Sequence, residues 1–157
     1  MKEMDGIGNR LLVVFDGHCG LCNGLVRWLL RRDTQDRLRF ASSVSPVVAQ
    51  LIERHAEVLE PNGISGTVLV FRNPLQADEQ LWIRFKGTLV VLRELPPPWP
   101  IVAMVLGWIP DFLSNPIYRL NARWRYCIWG RLESCPLPAP KDRTRFIGLP
   151  SNAHPLA

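Results

Sequence analysis

No stretch of this chain is long and apolar enough to read as a membrane-spanning helix. The longest late apolar run, Ile101 to Ile109, falls well short of the ~20 residues a span needs. Met1 to Arg10 is polar and Leu11–Phe15 is too short for the apolar core of a secretory signal, so a cytoplasmic protein is expected. Cysteine is scarce, with four in 157 residues. In a cytoplasmic chain those four point to catalytic, metal-binding or free thiols rather than to a disulfide framework. Repeats and low-complexity tracts are absent. No large excess of one charge exists either: 19 Lys and Arg face 14 Asp and Glu. Residues 96–157 hold +4 of the net +5, which suits a solvated basic face or an anionic partner or surface. No nucleic-acid motif accompanies that charge, so nucleic-acid binding is not expected. With 47% apolar residues, the chain can bury one real core.

What is present centres on Val13-Val14-Phe15-Asp16-Gly17-His18-Cys19-Gly20-Leu21-Cys22. A short apolar run stops at Asp16-Gly17, two cysteines follow at C-x-x-C spacing, and a helical pattern starts at once. The pattern predicts a buried strand, a tight turn and a dithiol on the first turn of a helix. The unpaired N–H groups and the dipole of a helix N-terminus favour negative charge, so a thiolate there is stabilised. A second thiol one turn away can then resolve a mixed disulfide.

Leu11–Phe15 reads as a central strand covered on both faces. The helix after it, roughly Cys19–Arg32, carries Leu21, Leu25, Trp28 and Leu29 as the expected buried stripe, with Arg27, Arg31 and Arg32 largely off it. Leu38–Ala41 is a second strand. Ser45 as N-cap and Pro46 at N1 open a helix to about Ala56. Gly66–Phe71 and Gln80–Phe85 read as an antiparallel pair, and Lys86-Gly87 turns the chain into a helix from Thr88 to about Leu95. The order β-α-β-α-β-β-α is that of an α/β, thioredoxin-like core, expected over residues 1–98. Beyond the prolines at 96–98 and 100, residues 99–157 are expected to form a helical C-terminal extension and tail on the same domain, broken at Ile109-Pro110 and Asn115-Pro116. The Pro-rich end, Pro136 to Ala157, is expected to wrap the surface or fray.

The motif Asp16-Gly17-His18-Cys19-Gly20-Leu21-Cys22 resembles the Asp-x-x-Cys-x-x-Cys signature of the DCC family of thiol-disulfide oxidoreductases. The likeness continues at Tyr118-Arg119, at Ala122-Arg123-Trp124-Arg125-Tyr126-Cys127-Ile128-Trp129-Gly130 and at Cys135-Pro136. It covers roughly Leu11 to Pro138. The resemblance implies a thioredoxin-like fold and disulfide redox chemistry, with Cys19 attacking, Cys22 resolving and Asp16 as the family acid. It implies no cofactor beyond the reversible pair and a protein or small-molecule disulfide or thiol as substrate. Thioredoxins place a cis-proline opposite the dithiol; the matching stretch Ile64-Ser65-Gly66-Thr67 has none, and Thr67 stands as the candidate substrate contact there.

Several residues admit two readings. Asp16 is a proton relay during exchange or a turn residue bonding backbone N–H groups at Gly17–Cys19. His18 is either a charge partner for the thiolate or an exposed loop histidine, while Gly17 and Gly20 serve backbone geometry and access. Of the two thiols, Cys19 is expected to be the more exposed. Arg119, Arg123 and Arg125 bring positive charge toward the dithiol or form a solvated face, with Arg125 singled out by the resemblance. Cys127 is expected to be a buried small hydrophobe, Cys135 a loop thiol, and His55 and His154 exposed. Trp99, Trp108, Trp124 and Trp129 are expected in the core. A zinc site built on Cys19 and Cys22 with His18, Cys127 or Cys135 lacks the usual paired spacing, so no metal is expected. That zinc module, or a non-enzymatic interaction module, remains the alternative to an oxidoreductase.

Overall fold

The computed structural model describes residues 7–56, 68–110 and 138–148, together with residues 112–114, 116, 120, 123, 124, 127 and 130. Strand β1 (Leu11–Phe15) lies at the centre of a five-stranded sheet, and all five of its residues are buried. Alternation of side chains across a strand splits the core in two. Leu11, Val13 and Phe15 face one cluster, and Leu12 and Val14 face the other. An apolar residue at every position is what a strand covered on both faces requires.

Helix α1 (Gly20–Arg32) follows β1 directly, and Asp33 ends it with its amide bonded to the Leu29 carbonyl. The Asp33 carboxylate accepts from the amides of Arg37 and Leu38, at 2.9 and 3.0 Å, and so steers the chain into β2 (Leu38–Ser42). β2 runs parallel to β1. Helix α2 (Pro46–Arg54) returns on the opposite face, where Val48 and Leu51 meet Leu12 and Val14. Strands β3 (Leu69–Arg72) and β4 (Gln80–Ile83) pair antiparallel, and β3 also pairs antiparallel with β1. Helices α3 (Arg84–Glu94) and α4 (Trp99–Leu106) complete the layer beside α1.

The sheet order β4-β3-β1-β2, with β1 next to both β2 and β3, is that of a thioredoxin-like α/β fold. A fifth strand, β5 (Phe146–Ile147), extends the sheet beyond β2. The Pro-rich end therefore does more than wrap the surface. Pro140–Arg145 forms a 3-10 turn, and Arg145 reaches the buried Asp33 carboxylate at 3.4 Å and Asp36 at 3.3 Å. Those two contacts hold the turn and β5 to the start of β2.

Other expectations are corrected by packing. Helix α3 begins at Arg84, immediately after β4, with Arg84 at φ +56 making the turn. Gly87 is thus inside the helix rather than before it. It is buried, and a Cβ there would sit 3.1 Å from both the Trp82 carbonyl oxygen and Val70 Cγ2. Ser45 does hold the N-cap position of α2, but its hydroxyl makes no capping bond. His55 is half-buried, with Nε2 2.6 Å from Glu79 Oε1. Trp108 and Trp124 are 84% and 56% exposed, so neither is a core residue. Trp99 packs edge-on against Trp28, with ring centroids 4.6 Å apart. Cys127 is exposed, whereas Trp129, Cys135 and His154 lie outside the described residues.

Candidate active site

The C-terminal end of β1 delivers the chain into the Asp16–Cys19 loop. A β-turn closes there, with the Cys19 amide bonded to the Asp16 carbonyl at 3.2 Å. The Asp16 carboxylate accepts from the His18 amide at 3.0 Å, the short-range bond that makes Asp a good turn residue. His18 is half-exposed, with Nδ1 3.9 Å from Asp16 Oδ1. Asp16 itself is buried, at 8% exposure. It acts here as a turn-former, and it also sets a carboxylate three residues before the helix cap.

Cys19 is the N-cap of α1, with extended backbone (φ −94, ψ 119), and its Sγ accepts from the Cys22 amide at 3.4 Å. A sulfur thus occupies the place that a Ser or Asp oxygen takes at ordinary helix starts. Cys19 Sγ lies at the positive end of the helix dipole, and no acidic side chain lies in the first turn. Cys22 sits at the third helical position. Both thiols are free.

Exposure reverses the expected order of the two thiols. Cys19 is fully buried, while Cys22 is 8% exposed. The N-cap position turns Cys19 back beneath the loop, into the core shared with Phe15 and Val26.

Asn23 ties this loop down. Its Nδ2 donates to the Gly17 carbonyl at 2.7 Å and the Cys19 carbonyl at 3.0 Å, and the residue is buried. Sequence reasoning passed over it. The signal was an amide side chain, a poor helix former, directly after the second cysteine. Asn23 also identifies the face of α1 that turns inward: Cys22, Asn23, Val26 and Leu29 are buried. Leu21, Leu25 and Trp28, expected on the buried stripe, are only half-buried along its flank.

Gly17 is buried in the loop, and Gly20 opens the helix half-buried. Thr67 and Arg125 lie outside the described residues, as does Arg119, and Arg123 is exposed. The structure therefore brings together Asp16, Gly17, His18, Cys19, Gly20 and Cys22. Among the described residues, no group of three or more His, Cys, Asp or Glu comes together as a metal would need. Among them too, no helix is long and apolar enough to cross a membrane.

The sequence profile of the DCC1-like thiol-disulfide oxidoreductases matches residues 13–131. The chain belongs to that family. Its match begins inside β1 and takes in the whole C-x-x-C loop. The uncharacterized protein YuxK of Bacillus subtilis is 28% identical over 141 residues, covering 90% of this chain and 96% of YuxK. A DCC family protein of Arabidopsis thaliana, described as chloroplastic, is 30% identical over 128 residues, covering 82% of this chain and 70% of that protein. No solved structure matches the chain. Family membership supports a thiol-disulfide oxidoreductase role in general terms.

Proposed function

We propose that this DCC1-like protein exchanges disulfides through Cys19 and Cys22. The observation that carries the reading is the Cys22 amide aimed at Cys19 Sγ at the start of α1. The species that attacks is the Cys19 thiolate. In the reducing direction, the Cys19 thiolate bonds to one sulfur of a substrate disulfide and expels the other as a thiolate, which takes up a proton. Cys22 then gives up its proton and attacks Cys19 Sγ. The Cys19–Cys22 disulfide forms, and the second substrate sulfur leaves as a thiolate and is protonated. The substrate gains two electrons and two protons, and a thiol reductant restores the pair. The reverse sequence oxidises a substrate dithiol.

Because Cys19 is buried, attack follows a local opening of the Gly17–Gly20 loop, and the two glycines lower the cost of that movement. Asp16 keeps the loop in register and stands ready as the proton acceptor for the resolving thiol. His18, half-exposed beside Asp16, meets the substrate side. Thr67 and Arg125 join the proposal as substrate contacts on the family resemblance alone. A reducing, cytoplasmic location suits a pair that must be regenerated by thiols.

The test is a trap. Replacing the resolving cysteine (Cys22→Ser) should accumulate a mixed disulfide on Cys19 when the protein meets a disulfide substrate, seen as an adduct by mass spectrometry. Adducts that form only on Cys127 or Cys135 would refute the assignment.

A further inference from the structure

Beside the dithiol, a groove of about 540 Å³ runs along the outer face of α1. It starts at Gly20 and Leu21, the two residues between the cysteines. It continues over Gly24 and Leu25 to Trp28, with Leu92 of α3 as its far wall. The walls are apolar; Leu21, Leu25 and Trp28 are half-buried, and Leu92 is buried.

Gly24 is the anomaly. It lies mid-helix at an ordinary helical φ, where glycine destabilises relative to alanine. A Cβ placed on it would meet nothing within 4 Å. Gly87 contrasts with it, because there neighbouring atoms demand the missing side chain. Among the described residues, nothing needs Gly24 bare. The space it leaves open is one helical turn beyond Gly20, on the same face.

The rim is basic. Arg27 lines the groove and is exposed, and Arg32 stacks over Trp28 with its guanidinium 4.3 Å from the ring centroid. Among the described residues, neither arginine is in an ion pair and no acidic side chain lines the groove. We infer that this groove binds the polypeptide segment that carries the substrate cysteine. The segment places a large apolar side chain over Gly24, between Leu25 and Leu92, and an acidic residue beyond it at Arg27. The inference rests on the exchange chemistry proposed above and adds its specificity: apolar, acidic-flanked peptide disulfides over small polar ones.

Two peptides of equal length test it, each with its one cysteine in a mixed disulfide with thionitrobenzoate. One carries Leu and Phe beside the cysteine and Glu further along; the other carries Gly and Ser throughout. Release of thionitrobenzoate by the reduced protein is normalised to release by dithiothreitol. The apolar-acidic peptide should react about tenfold faster or more, the effect of burying one large apolar side chain. Filling the groove with Gly24→Leu, or inverting its rim with Arg27→Glu, should bring the ratio towards one. A Gly24→Ala variant gives the same direction with a smaller change. Binding is read separately with the apolar-acidic peptide bearing Ser for Cys, which should shift the amide resonances of Leu21, Gly24, Leu25 and Leu92. Equal normalised rates, or shifts confined to another face, would overturn the groove. If neither peptide reacts, the exchange reading fails, and the serine peptide still decides whether the groove binds.

Discussion

Replacing Asn23 with alanine should loosen the dithiol loop by an amount that follows from its two hydrogen bonds. The Cys19 carbonyl also accepts from the Asn23 amide at 3.0 Å, so it stays satisfied when the side chain goes. The Gly17 carbonyl has the Asn23 side chain as its partner at 2.7 Å, and Gly17 is buried. An orphaned buried acceptor costs about 1–3 kcal/mol, and the lost second bond adds about 0.5–1.5 kcal/mol. Helix propensity returns a few tenths, because alanine is the better helix former. The net loss should be about 2–3 kcal/mol, measured as a lower urea midpoint at unchanged slope. Thermal unfolding should move down by roughly 5–10 °C for a chain of this size. The same variant should alkylate faster at Cys19, because the loop covering that thiol is what Asn23 holds. A stability change under about 0.5 kcal/mol, with alkylation of Cys19 no faster than in the parent, would refute the role given to Asn23.

Other sites give sharp contrasts. The carboxyl of Asp36 is lowered from its ordinary 3.8 to about 2, chiefly by its hydrogen bonds to Arg39, with the charges of Arg39, Arg145 and Arg10 adding to it against partial burial. A carboxyl depressed in the folded state stabilises fully above its unfolded pKa and loses that contribution as pH falls from about 4 towards 2. Solvent screening at this 40% exposed side chain holds the effect to about 1 kcal/mol or less. Asp36→Asn should therefore flatten stability against pH in that window and change little at pH 2, as read by acid unfolding of the two proteins side by side. Opposite outcomes are expected for two glycines. Gly24→Ala should stabilise by about 0.5–1 kcal/mol, from helix propensity with no clash. Gly87→Ala should destabilise by about 1–3 kcal/mol, because its Cβ would press on the Trp82 carbonyl and Val70. Equal urea midpoints for these two variants would contradict the packing described.

The elements closest to the dithiol were the most legible. Leu11–Phe15 is apolar at every position and bounded by Asp16-Gly17, so its extent as β1 matches the reading residue for residue. The cysteine pair announced the start of α1, and the antiparallel pairing of β3 with β4 followed from two β-rich runs around a polar loop. The inward face of α1 was not legible, because its sequence offers two apolar stripes. Leu21, Leu25 and Trp28 make one; Cys22, Val26 and Leu29 make the other, of which Leu29 alone was expected inside, and the polar Asn23 on that second stripe disguised the rest. Only the hydrogen bonds to Gly17 and Cys19 explain why an amide belongs inside. Strand β5 was hidden for a different reason. Two residues carry no period, and the strand exists through pairing with β2 and the reach of Arg145 to Asp33 across the sequence. The helix start at Arg84 was missed because Gly87 looks like a turn residue. Its absent side chain serves close packing against β3 and β4 instead.

The central claim is that Cys19 and Cys22 form one reversible redox pair. The most direct measurement equilibrates the protein in dithiol buffers of defined potential and locates the disulfide by mass spectrometry. The account predicts a single Cys19–Cys22 bond that opens and closes reversibly, at a potential within roughly −120 to −270 mV. Thiols that stay reduced throughout that range, or a bond that forms through Cys127 or Cys135 while Cys19 and Cys22 remain free, would contradict it.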